Sequence, residues 1–272
     1  MATKEFDRWN DIAEIYSSLY RDHWSCREDR VLEQDLNRLL RYGFPKGIPI
    51  TVLDVGCGAG LIGKLLRHHK QIERYIGVDL SPAMLMQARQ ALFGAPFTVT
   101  FLQREWTDER EVADHWYGEG INLITAAFSG EYIHGIPSLI RLAASLRALD
   151  VQRRTKRAVA LYAVSATSSS LGAAFQGRHG NTLDRALLKD GSRLPNGEVF
   201  FRPEDAWRMA AACRPVPDLV WMEPLGWFSG TPIERAVCRS APATALVWTC
   251  DRLLCRLFPQ RAYYQRINAL WS

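Results

Sequence analysis

The stretch Val52–Gly60, VLDVGCGAG, begins like a buried strand and ends with glycines at 56, 58 and 60. Glycine removes the side chain that would hold a ligand away from the backbone, and it tolerates positive φ. In an open parallel sheet the crevice beyond the carboxyl ends of the strands binds ligand, and the first strand-to-helix turn is its usual cradle. The stretch therefore predicts a turn built for close approach, with a carboxylate, Asp54, among its apolar residues.

Working outward, strand patterns recur at 50–55, 74–79, 97–102, 121–128 and 158–164, with helix patterns near 60–69, 82–93, 107–117 and 135–149. Two helical stretches precede them, and the second, from Arg27 to Tyr42, sets Val31, Leu32, Leu36, Leu39 and Leu40 on one broad face. After the fifth strand the rhythm breaks. Residues 164–201 are rich in Ser, Gly and Asn, then a helix is predicted at 203–213, a strand at 218–226, a second insertion at 229–260 and a closing strand at 262–271. The order predicts an α/β fold: a doubly wound, mostly parallel seven-stranded sheet with an amino-terminal helical segment and two late insertions.

The chain has 272 residues, 47% hydrophobic and 23% charged, enough to bury a sizeable core. It lacks a secretory signal pattern at its start, and no run approaches the roughly 20 apolar residues of a membrane span, so it reads as a soluble cytoplasmic protein. Six cysteines show no Cys-x-x-Cys pair and no zinc-like spacing with His, so no metal is predicted and the thiols read as buried or incidental. Residues 1–150 carry a net charge of −3 and residues 151–272 one of +8. The basic residues are mostly scattered, with RRTKR at 153–157 the one dense cluster, so a solvated face is expected and no nucleic-acid partner.

The third glycine helps choose the ligand. A dinucleotide fingerprint would need Gly or Ala at position 61, which is Leu, and Lys64 is followed by Leu65, not by the Ser or Thr of a phosphate loop. Asp79, 23 residues after Gly56, ends the second strand where a carboxylate can accept both hydroxyls of a ribose. Ser81 as N-cap and Pro82 then start the next helix at once. A nucleoside without a phosphate signature is implied.

VLDVGCGAG and GVDLSPAMLMQAR resemble the first two motifs of the class I S-adenosylmethionine-dependent methyltransferases, and the similarity covers roughly residues 48–165. It implies S-adenosylmethionine as cofactor, with Gly56, Cys57, Gly58 and Gly60 near its methionine portion, Asp54 holding its ammonium group and Asp79 on its ribose. Leu80 and Met84 follow in the second motif, Glu105 and Trp106 stand where the family caps the adenine, and Ala126, Ala127 and Phe128 are expected beside the transferable methyl. The first helix resembles a segment that many small-molecule members fold over the cofactor. There Tyr16, seven residues after Trp9, is either a lid residue or part of the core, with Tyr20 and Trp24 weaker candidates. One domain over 1–272 is expected: 1–47 as the helical lid segment, 48–165 as the cofactor core and 166–272 as the acceptor-side half.

Methyl transfer needs in-line positioning and removal of a proton from the nucleophile. His134, after the fourth strand, is the candidate base, with Glu131 and Tyr132 as alternatives; a histidine turned to solvent fits the sequence equally well. The insertions suggest a covered pocket for a small organic acceptor, with Trp221, Trp227, Phe228 and Trp248 as wall or core residues. The expected function is methylation of a secondary metabolite at a hydroxyl or carboxyl group. The alternative is a cofactor-binding protein of the same fold that catalyses another reaction or acts on RNA. In 241–258, Leu246, Thr249, Leu253 and Leu257 share a helical face expected to pack on the sheet or roof the acceptor, without stable membrane association.

Overall fold

The computed structural model describes residues 9–16, 21–104, 113–128, 136–154, 157–166, 203–229, 231–262 and 264–271. Helix α1 spans 9–16 and α2 spans His23–Gly43, started by Asp22, whose side chain accepts the Ser25 N–H at 2.8 Å. Strands β1 (Ile50–Val55), β2 (Ile72–Asp79), β3 (Thr98–Gln103), β4 (Leu123–Ala127) and β5 (Val159–Ala166) follow. Between them lie α3 (Leu61–Leu65) with a 3₁₀ turn, α4 (Pro82–Ala91), α5 (Ala113–Gly118) and α6 (Ile136–Gln152). The described remainder is α7 (Pro203–Ala212), β6 (Leu219–Leu225), α8 (Pro232–Val237), α9 (Ala241–Leu257) and β7 (Tyr264–Trp271).

The seven strands run in the order β3-β2-β1-β4-β5-β7-β6. All pairs are parallel except those of β7, which is antiparallel to both β5 and β6. This is the mostly parallel sheet expected, and β7 enters it between β5 and β6. The predicted strands recur within a few residues of their expected bounds; the fourth is shorter, because Phe128 already has φ 59° and turns the chain away.

Period-two alternation divides the core. Leu53, Val55, Ile124, Leu161 and Ile267 face α5 and α6 through Trp116, Leu139 and Leu146. Val52, Leu123, Tyr162 and Leu270 face α2 through Leu32, Leu36, Leu39 and Leu40. The stripe read on α2 is thus its buried face. Among these apolar residues Arg266 of β7 pairs with Asp35 of α2, both almost fully buried, and reaches Glu223 of β6 at 3.2 Å. Glu223 also takes the Arg38 guanidinium at 2.7 Å.

Helix α9 departs from expectation. Its inward residues are Thr244, Trp248, Asp251 and Cys255, while Leu246, Leu253 and Leu257 are exposed and Thr249 lies on the open side with them. The polar Thr244 and Asp251 are drawn inward because each has a backbone partner: Thr244 donates to the Val237 carbonyl at 2.7 Å, and Asp251 accepts the Phe228 N–H at 2.8 Å. Trp248, a predicted pocket wall, is buried edge-on against Trp24 with centroids 4.9 Å apart. Among the described residues, no helix is long and apolar enough to cross a membrane.

Candidate active site

The glycine loop leaves β1 with Gly56, Gly58 and Gly60 at φ 65°, 50° and 80°. At Gly58 an added Cβ would meet nothing within 4 Å, so its backbone borders open space. At Gly60 the same atom would sit 3.3 Å from the Ala88 Cβ, so this glycine lets α4 approach the loop. Two glycines of one motif therefore do different work, one facing open space and one a helix.

Asp79 reaches this loop from the end of β2. One carboxylate oxygen accepts the Gly58 N–H at 2.8 Å and the other the Ser81 N–H at 2.9 Å. Burial pushes its pKa up, while the N–H groups of Ser81, Gly58 and Leu80 pull it back. Asp79 and Leu80 are half-buried as residues, and each carboxylate oxygen of Asp79, bonded to one N–H, keeps acceptor capacity beside the open backbone of Gly58.

Asp54 is placed otherwise. It is 1% exposed, and its two oxygens accept the Tyr75 hydroxyl at 2.5 Å and the Thr125 hydroxyl at 2.8 Å. These bonds tie β1 to β2 and β4 directly beneath the loop. Desolvation by burial raises its pKa to about 7, against the lowering effect of the two hydroxyls. Tyr75 and Thr125 were not singled out from sequence: Thr125 is level with Asp54 on β4, but Tyr75 is level with Val52 and reaches Asp54 only by its length.

Three other residues of the expected cofactor site are buried. Cys57 is 6% exposed, with its thiol pushed to higher pKa mainly by burial, so only its backbone belongs to the loop surface. Met84 is 1% exposed and packs with Ile12 and Ala13, because Ser81 caps α4 through the Met84 N–H and turns this residue under α1. Ala126 is 0% exposed and faces the α5–α6 core by strand alternation, whereas Ala127 and Phe128 are partly open. Phe128 holds a left-handed backbone, donates its N–H to Val164 at 3.0 Å and sets its ring against Tyr264 at 4.8 Å. A non-glycine residue in that region costs on the order of 1–3 kcal/mol and tends to mark functional turns.

Helix α1 lies over the same corner. Asn10 accepts the Ser81 hydroxyl at 2.8 Å, Gln87 donates to the Ala13 carbonyl, and Trp9, Tyr16 and Ala59 pack around Ile12, Ala13 and Met84. Tyr16 is partly buried, edge-on to Trp9 at 6.2 Å. At the end of β3, Arg104 donates its N–H to the Asp79 carbonyl at 3.2 Å and sets its guanidinium over Trp116 at 4.5 Å. Glu105, Trp106, Tyr20, Glu131, Tyr132 and His134 lie outside the described residues.

Beyond β6 the turn 226–229 closes on α2. Ser229 donates to Glu28 at 2.6 Å, and Trp24 Nε1 donates to the same carboxylate at 3.0 Å. Trp227 and Phe228 pack edge-on at 5.3 Å, and Trp221 packs against the α2-side core. Because β6 runs parallel to β1–β5, this turn and the start of α2 lie on the same side of the sheet as the glycine loop. Among the described residues, no group of three or more His, Cys, Asp or Glu is arranged to hold a metal.

Residues 52–136 match a family model described as a methyltransferase domain. A segment of 69 residues is 36% identical to a ribosomal RNA large subunit methyltransferase F of Pseudomonas paraeruginosa, covering 25% of this chain and 21% of that one. Another of 50 residues is 40% identical to a malonyl-[acyl-carrier protein] O-methyltransferase of Anoxybacillus flavithermus, covering 18% and 19%. The chain thus spans about a fifth of the length of these curated relatives. A solved methyltransferase from Anabaena variabilis, described as dependent on S-adenosylmethionine, is similar in fold with a TM-score of 0.56 over 97% of this chain and 91% of that one, at 16% identity. The strand order with its antiparallel β7 is the fold shared with that Anabaena variabilis methyltransferase, and the glycine loop lies within the span that the methyltransferase-domain model matches.

Proposed function

We propose that the chain transfers a methyl group from S-adenosylmethionine to a small organic acceptor, at a hydroxyl or carboxyl oxygen of a secondary metabolite. The observation that carries this reading is the pairing of open backbone at Gly58 with the Asp79 carboxylate bonded to it. An uncharged ribose and an amino-acid moiety fit that pair, since two N–H groups already hold the carboxylate in place. The bound cofactor supplies an activated methyl on a sulfonium.

The protein's own residues then position and desolvate. Asp79 would accept the ribose hydroxyls, Gly58 admits the ligand to the backbone, and α1 covers the corner through Asn10 and Ile12. Phe128, held against Tyr264, would border the methyl, and His134, with Glu131 and Tyr132 as alternatives, would take the acceptor proton. The aromatic residues at the ends of β4, β7 and β6 favour an organic acceptor over a bare ion.

Calorimetry with S-adenosylmethionine and S-adenosylhomocysteine, followed by mass spectrometry of candidate acceptors, tests the proposal. Asp79→Ala should weaken cofactor binding at least tenfold, since each lost charge-assisted bond is worth roughly 1.5–3 kcal/mol. Unchanged affinity would remove Asp79 from the ribose. His134→Ala with a near-normal turnover number would remove that residue from the chemistry.

An RNA acceptor is the second reading, supported by the net +8 of residues 151–272 and by the ribosomal RNA methyltransferase match. Two arginines of the densest basic run are engaged within the protein: Arg153 and Arg157 lie over Tyr117 at 4.4 and 4.8 Å, and Arg157 is 3.5 Å from Asp150. RNA affinity that falls steeply with salt, together with methylated RNA product, would select this reading over the first.

A further inference from the structure

Helix α9 is seated by one face and open on the other. Trp248 and Asp251 fasten it to Trp24 and to the turn after β6, yet Leu246, Leu253 and Leu257 are 71%, 56% and 60% exposed. Exposed Cys250 falls on the same line, and the chain leaves the helix through Phe258, 52% exposed. Positions 246, 250, 253 and 257 are the spacing of a single helical stripe. It is about 16 Å long at 1.5 Å per residue.

Charge says what covers it. Arg252 and Arg256, one turn apart, lie on the flank of the helix between the stripe and its seated face, exposed Arg239 precedes the helix and exposed Arg261 follows it. Across residues 231–262 five arginines stand against two acids, one of which, Asp251, is buried. We propose that α9 docks this apolar, arginine-edged face on an anionic phospholipid surface. The leucines and Phe258 would enter the boundary between headgroups and acyl chains, and the arginines would reach the phosphates.

A second copy of the chain fits less well. It would bring like-charged margins together, and one stripe of helix falls far short of the roughly 800 Å² per partner that a stable interface buries. A bilayer needs no matching groove and attracts the arginines. The sequence had pointed to packing through the same leucines, which the structure leaves uncovered.

Flotation of the whole chain with phosphatidylcholine vesicles, with and without phosphatidylserine, tests the proposal. The chain should rise only with the phosphatidylserine vesicles and be released by high salt. Leu246→Asp with Leu253→Asp should cut the bound fraction roughly tenfold or more, because two apolar anchors are lost, with thermal unfolding unchanged at these exposed positions. Arg252→Gln with Arg256→Gln should reduce binding several-fold. Absence of flotation, equal flotation on neutral vesicles, or normal flotation of the double leucine variant would each overturn the proposal. So would leucine-dependent self-association, or leucine-dependent binding of polyglutamate, in a chain that ignores vesicles.

Discussion

Two turns at the carboxyl side of the same sheet use glycine in opposite ways. After β1, Gly58 has φ 50° and nothing within 4 Å of the place a Cβ would take. After β6, Gly226 has φ 70°, but a Cβ there would overlap the Ser229 side chain and lie 3.2 Å from Glu28. The first turn is kept open and the second is closed by its own hydrogen bonds. Positive φ alone does not tell the two turns apart; the space beside it does, and that distinction separates the glycine-loop side of the molecule from the α2–β6–α9 side.

The closed side also holds the buried Arg266–Asp35 pair, and breaking it should give the largest effect. Asp35→Leu would leave Arg266 without its main partner at 4% side-chain exposure, for a loss of about 3–5 kcal/mol in urea unfolding. Cofactor affinity should change little in whatever folded protein remains. If Asp35→Leu melts like the wild type, the Arg266 group is not holding β7 and α2 together. Joint replacement of Asp35 and Arg266 by apolar residues should recover much of the loss, because no lone charge then remains buried.

The glycines give the next effect and the most direct contrast. Gly226→Ala should cost about 2–4 kcal/mol, from left-handed strain plus displacement of Ser229 from Glu28. Gly58→Ala has only the strain to bear, about 1–2 kcal/mol, but sets a methyl where the ligand is expected. Its cofactor affinity should therefore fall further than that of Gly226→Ala although its melting temperature falls less. Equal ratios of binding loss to stability loss would erase the difference between open and closed turn.

The open side was largely legible in the sequence and the closed side was not. The glycine loop, the Asp79 position, the Ser81–Pro82 helix start and the β1–β5 rhythm rest on short-range patterns, and the structure reproduces them. The internal bonds of Asp54 were not legible, because its two partners, Tyr75 and Thr125, come from neighbouring strands 21 and 71 residues away. Met84 and Ala126 sit inside the right motifs, but helix rotation and strand alternation turn them into the core. In α9 hydrophobicity misled the reading of orientation: two polar residues found backbone partners inside, so the leucines turned out. Nothing local to 241–257 shows that Phe228 and Val237 will supply those partners.

A different kind of effect, read against pH instead of as a single loss, compares a buried acid from each side. Burial raises Asp54 to about 7 and Asp251 to about 6, both from an ordinary 3.8, so the folded chain holds a proton that the unfolded chain releases. Below about pH 4 both states are protonated and the neutral-acid contribution is complete. As pH rises through each window the unfolded state ionises first, bound protons favour the folded state less, and stability falls until the folded pKa is passed. The stability difference between wild type and Asp54→Asn should therefore shift against the wild type from about pH 4 to about 7 and be level above it. For Asp251→Asn the same drift should level off near pH 6. Urea midpoints across this range check both, and a difference that stays flat throughout for Asp54→Asn would mean that the carboxyl under the glycine loop is ionised in the folded protein at every pH tested.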